Sequence, residues 1–126
     1  MVEEFKTYLN KIGLKYTQTP QSEILMFNTN NLNYMFQWQE SDPYYFRLSL
    51  PNVDSEMTND IQRIAMELNA QYKVAKVIEM PDHHVWIIAE AFVYSFDKIE
   101  ALFSRMVFLL SNVIDEYRNK KGGGGV

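Results

Sequence analysis

The chain has 126 residues, a net charge of −4 and no cysteine. Its length suggests one domain, able to bury roughly two-thirds of its unfolded surface without staples. Without cysteine there are no disulfides, thiolate metal sites or cysteine nucleophiles, and the acidic balance argues against a duplex-binding surface, which needs clustered Lys and Arg.

The N-terminus, MVEEFKTYLNKIG, carries acids early and is amphipathic, unlike a signal peptide. Val2, Phe5, Leu9 and Ile12 recur at helical spacing, with Tyr8 at the edge. Gly13 ends this helix in a left-handed conformation, and Leu14 folds back toward Leu9.

Three strand-like runs follow. The first spans Ile24 to Asn28, and Asn28-Thr29-Asn30-Asn31 is turn chemistry. Leu32, Tyr34, Phe36 and Trp38 then alternate with Asn33, Met35, Gln37 and Gln39. After a turn at Glu40 to Pro43, Tyr44, Phe46, Leu48 and Leu50 alternate with Tyr45, Arg47 and Ser49 until Pro51. Period two with one apolar face predicts strands, and the short connections favour an antiparallel meander.

Asp54 or Ser55 is positioned to cap a second helix with the stripe Met57, Ile61, Ile64, Ala65, Leu68 and Tyr72. Met66 and Ala70 fall outside that stripe. A hairpin is predicted next: Lys73 to Met80, a turn at Pro81-Asp82-His83, and His84 to Tyr94. Ser95 can cap a last helix running to about Lys120. The domain is expected over residues 1–121, with a flexible glycine-rich tail over 122–126.

The fold class expected is α+β, in the order α-β-β-β-α-β-β-α. It has a mostly antiparallel five-stranded sheet, with helices packed mainly on one face. Two features raise the question of partners. On the last helix, Ile99, Leu102, Phe103, Met106, Val107, Leu109, Leu110, Val113, Ile114 and Tyr117 fill an arc of roughly 160°, wider than an ordinary surface helix needs. Phe108 alone points the other way. On the last strand, Val85, Ile87, Ala89, Ala91 and Val93 suit close-packed helices, while the opposite face carries Trp86, Ile88, Glu90, Phe92 and Tyr94. A face left to water should be polar, whereas aromatics are enriched at interface cores. Met66, Ala70, Trp86, Ile88, Phe92, Tyr94 and Phe108 are therefore the candidate partner-binding residues.

No catalytic constellation stands out. Asp82-His83-His84 suggests a metal, but adjacent histidines on a strand end point to opposite faces, and zinc wants three or four ligands. A polar turn is expected instead. Glu3-Glu4 and Asp115-Glu116 diverge on helices and suit solvated faces. Neither a nucleophile elbow nor a phosphate-cradling glycine loop is present. No catalytic residue, metal or cofactor is expected.

From the second helix onward, the run MELNAQYKVAKVIEMPDHHVWIIAEAFV, followed by a long amphipathic helix, resembles the YbjN family within the broader type III secretion chaperone-like fold. The features that carry the resemblance are Leu68-Asn69 at a helix end, Lys76-Val77, the turn at Asp82, and Val85 to Phe92 with Glu90. Upstream, a Lys-Ile-Gly helix end and aromatic strands agree in order. The resemblance implies a bacterial protein, usually a homodimer, with no known catalytic residues; a cytoplasmic location is expected from an N-terminus unlike a signal peptide and from apolar runs too short to span a membrane. Secretion chaperones of this fold hold an extended client segment, and their dimer contact places Met66 and Ala70 nearby. YbjN relatives are described as sensory or regulatory.

Two functions are expected from these readings. The first is a non-enzymatic interaction domain, chaperone-like or regulatory, binding a protein or peptide segment as a homodimer, with no nucleic acid or membrane partner. The alternative is a small-molecule sensor or enzyme with a pocket between the sheet and the C-terminal helix.

Overall fold

A computed structural model describes residues 1–19, 23–54, 60–82 and 84–123. Three helices, α1 (Val2–Lys11), α2 (Asp60–Gln71) and α3 (Ile99–Gly123), accompany six strands. These are β1 (Tyr16–Gln18), β2 (Ile24–Thr29), β3 (Leu32–Gln39), β4 (Tyr44–Asp54), β5 (Ala75–Glu79) and β6 (Val85–Val93). The sheet order is β1-β2-β3-β4-β6-β5, with every neighbouring pair antiparallel.

The α+β architecture follows the sequence reading, but the sheet has six strands rather than five. The added strand, β1, pairs Tyr16, Thr17 and Gln18 with Phe27, Met26 and Leu25. It is too short for a period-two pattern, so its existence rests on the edge that β2 offers.

Local chemistry sets the turns. Gly13 takes φ +76°, the Gly13 N–H donates to the Asn10 carbonyl at 3.2 Å, and the Leu14 N–H donates to the Leu9 carbonyl at 2.9 Å. This pairing is a Schellman ending. Asn30 and Asn31 take φ of 54° and 62°, as a two-residue hairpin between right-twisted strands requires.

Four boundaries differ from expectation, the first being the start of α3 at Ile99: Ser95 does not cap it, and its hydroxyl instead accepts the Asp97 N–H at 3.1 Å. Pro51 does not end β4, which continues to Asp54 through a register irregularity between Leu50 and Asp54. Proline is tolerated in a sheet at such a bulge. Asp54 is not a helix cap: it ends β4, accepts the Tyr117 hydroxyl at 2.8 Å and pairs with the Lys121 ammonium. α2 begins at Asp60, and Ser55 and Met57 lie outside the described residues. Finally, α3 runs through Gly123, past the expected end near Lys120 and into the glycine-rich tail.

β4 and β5 both lie antiparallel to β6, so they run parallel to each other. The connection between them therefore needs a crossover, supplied by α2, and β6 inserts between the two strands. The core lies on one face of the sheet. It holds Phe5 and Leu9 of α1, Ile61, Ile64 and Leu68 of α2, and alternate residues of β2 to β6.

α3 fills the middle of that core. Ile99, Phe103, Met106, Leu110, Val113, Ile114 and Tyr117 are buried, while Leu102, Val107 and Leu109 pack at the margins. The wide apolar arc is thus absorbed by the sheet below and by the flanking helices. Phe103 touches three elements: its ring centroid lies 4.8 Å from Phe5, 5.8 Å from Phe36 and 5.3 Å from Phe46. Phe5 in turn stacks on Phe36 at 3.8 Å. At the far end of α2, the Tyr72 hydroxyl donates to Glu116 of α3 at 2.7 Å. That bond, aided by burial, pushes the Tyr72 pKa up to about 12.

Phe103→Ala should cost about 3–5 kcal/mol, the range for deleting a fully buried aromatic ring. Urea denaturation would show this as a lower midpoint at unchanged slope.

Candidate interaction surfaces

Among the described residues the helices occupy one side of the sheet, so the other is a bare face, free of helices, whose composition is set by the strand registers. One row across it reads Met26, Met35, Ser49, Ile88, Lys76. The next reads Ile24, Gln37, Arg47, Glu90, and the third Gln39, Tyr45, Phe92.

The centre of this face is a closed polar cluster. Arg47 donates from Nε to Glu90 Oε2 at 3.1 Å and approaches it from Nη2 at 3.1 Å, and the Tyr45 hydroxyl donates to the same oxygen. Glu90 is therefore not an isolated charge among aromatics. The Tyr45 hydroxyl, then Arg47, holds its carboxyl below the usual range. Burial, then the bond to Glu90, raises the Tyr45 phenol.

Around this cluster the face is mixed, with Gln37, Gln39 and Lys76 among its apolar side chains. Phe92 is 62% exposed and Tyr94 81%, and the Phe92 ring lies 5.5 Å from that of Tyr45. Met26 and Ile78 are also exposed. Two of the expected contact residues are less available. Ile88 sits on this face but is only 6% exposed, in register between Ser49 and Lys76. Trp86 is half-buried, and its indole N–H donates to Asn52 Oδ1 at 2.9 Å. Asn52 takes φ +52° within the β4 irregularity, which brings its side chain to the indole.

The remaining candidates lie elsewhere. Phe108, 68% exposed, is on the outer side of α3, away from the sheet. Met66, 74% exposed, and Ala70 are one turn apart on the outside of α2. Met66 borders a groove of about 560 Å³ between α2 and β5, lined also by Ile61, Ala65, Ile78 and Met80. Trp86, Ile88 and Phe92 thus share the outer face of β6, Tyr94 follows the end of that strand, and Phe108 and the Met66–Ala70 pair lie on two helices apart from it.

Sequence reasoning did not find Tyr45 and Arg47 as partners of Glu90. Alternation placed each residue on a face, but the adjacency of β4 and β6 depends on the crossover. Nor did it find Asn52, whose role needs the bulge.

Residues weighed for chemistry have structural partners. The His84 backbone N–H donates to Asp82 Oδ1 at 3.1 Å, and its Nδ1 lies 2.8 Å from Asp82 Oδ2. This is an Asx-type turn. His83 lies outside the described residues. Among the described residues, no group of three or more His, Asp or Glu is placed to hold a metal. Lys6 pairs with Glu3, and Glu116 accepts from Tyr72 and Gln71. Among the described residues, no helix is long and apolar enough to cross a membrane.

Comparison with known proteins places the architecture. The chain has a YbjN-like fold: it superposes on the crystal structure of YbjN from E. coli with a TM-score of 0.64, covering 96% of this chain and 93% of that one at 12% identity. That protein is assigned provisionally as a transcription regulator. Neither a protein-family model nor a curated protein sequence matches the chain.

Two predictions follow from the bare face. Because the folded pKa of Glu90 is depressed, its contribution to stability is present above the ordinary glutamate value and is lost as pH falls through the folded value. Carboxyl NMR titration should give a midpoint below that ordinary value, moving upward in Tyr45→Phe. Separately, the Ser49 hydroxyl is fully buried and has no hydrogen-bond partner among the described residues. Ser49→Ala removes an unsatisfied buried group, so it should leave stability unchanged or raise it by about 1 kcal/mol in thermal or urea melts.

Proposed function

We propose that the chain is a non-enzymatic interaction module, regulatory or chaperone-like, that acts as a homodimer and docks a protein or peptide segment on the bare face of its sheet. The observation that carries this reading is the exposure of Phe92 on the side of the sheet where no described helix lies, with the exposed Tyr94 just past the end of β6. Large aromatics with one rigid apolar body anchor interfaces at low entropic cost. The Tyr45–Arg47–Glu90 cluster beside them has already met its own charges, so covering it would not strand a lone ion.

The competing pocket reading loses support from the packing. The space between the sheet and α3 is filled by Phe103, Met106, Leu110, Val113 and Tyr117, all buried. The fold shared with YbjN supports a regulatory role, and the net charge of −4 favours protein contact over direct grip on a duplex. The groove beside Met66 is the surface we assign to dimer contact, as the resemblance to secretion chaperones implies.

Sedimentation equilibrium over a dilution series tests the dimer. A concentration-dependent mass reaching twice that of the chain is expected, and Met66→Asp should weaken it. A single-chain mass at high micromolar concentration would overturn it. Binding to an array of extended apolar peptides, read by fluorescence polarisation, tests the docking face. Phe92→Asp should abolish binding and Phe108→Asp should leave it intact; the reverse pattern would move the site to α3.

A further inference from the structure

A sheet that ends in open strands exposes rows of unpaired N–H and C=O groups, and these are templates for another chain. The two ends of this sheet are β1 and β5. β1 is three residues long, which offers little to pair with. β5 has five residues, with the β-forming Val77 and Ile78 at its centre, and is the edge that needs closing.

In an antiparallel ladder, alternate residues turn both backbone groups away from the neighbouring strand. Val77, opposite Ile87 of β6, is such a residue in β5. Its N–H donates outward to Asn69 Oδ1 at 2.7 Å, and its carbonyl accepts from Asn69 Nδ2 at 3.1 Å. The side-chain amide of Asn69 therefore offers the donor and acceptor that a peptide group of an added strand would offer, at the middle of the edge.

Asn69 sits in α2, where asparagine is a poor helix former because its side chain competes for backbone groups. Here that capacity is turned across to the strand. The Lys76 ammonium donates to the Asn69 backbone carbonyl at 3.4 Å, a second link between the same two elements. A connector of three residues between α2 and β5 could be braced in many ways, but this brace consumes the pairing groups of the edge itself.

We propose that Asn69 is a side-chain plug that closes the β5 edge to strand addition by a second copy of this chain. Without the plug, the occupant is a second copy. Two β5 strands pair antiparallel about Val77, setting Lys76 of one against Ile78 of the other in a self-complementary contact. This inference does not rest on the docking face or on the dimer assigned above, and either can fail alone.

The test begins with hydrogen exchange of the parent chain, measured residue by residue by NMR. The Val77 amide should be protected to within about tenfold of Lys76 and Ile78, whose amides face β6, since one neutral hydrogen bond accounts for a factor of that order. Exchange of Val77 at the rate of an exposed loop amide would overturn the proposal without any variant. Asn69→Ala should then speed Val77 exchange about tenfold or more at low concentration, and add association beyond that of the parent chain at high micromolar concentration. Asn69→Asp keeps the acceptor for the Val77 N–H but loses the donor to its carbonyl, and should fall between the two. Unchanged Val77 exchange in Asn69→Ala, or faster exchange with the association of the parent chain, would overturn the plug.

Discussion

Phe103 is the contact on which the two layers depend. Its ring meets Phe5 of α1, Phe36 of β3 and Phe46 of β4, so one side chain fastens both the first and last helices to the middle of the sheet. Edge-to-face geometry adds a directional component to the area it buries. Because α1 comes first in the chain and α3 last, this cluster also closes the longest loop in the fold, and the entropy of that closure is offset by burying aromatic rings together.

With the described helices committed to one face, no described helix lies on the other. The center of that face is satisfied internally by Arg47, Tyr45 and Glu90, whereas Phe92 and Tyr94 stand beyond the cluster. Edges and faces are thus treated differently. The short β1 and the Asn69 clasp on β5 limit backbone pairing, while aromatic side chains stay available on the bare face. Such a surface selects partners by side-chain fit, which can be specific, rather than by strand pairing, which accepts almost any extended chain.

Much of the fold was legible before any coordinates. The alternation of Leu32, Tyr34, Phe36 and Trp38 identified a strand and its inner face, and those four residues are buried in the core. The arc on the last helix identified its packed side, and Phe108 was correctly set apart from it. What failed did so for physical reasons. β1 is a strand only because β2 presents it with an edge. Pro51 breaks a ladder in isolation but is carried by a bulge. Asp54 resembles a cap in sequence, yet Tyr117 and Lys121 recruit it from more than sixty residues away.

The sequence by itself determined which residues share a face, because side-chain periodicity is a property of each element and is encoded within a few residues. Only the tertiary structure decided which strands are neighbours: α2 crosses over β6, and this places Glu90 beside Arg47 and leaves β5 as an edge for Asn69 to cover. Adjacency of that kind comes from long-range packing and closure, which no local pattern records.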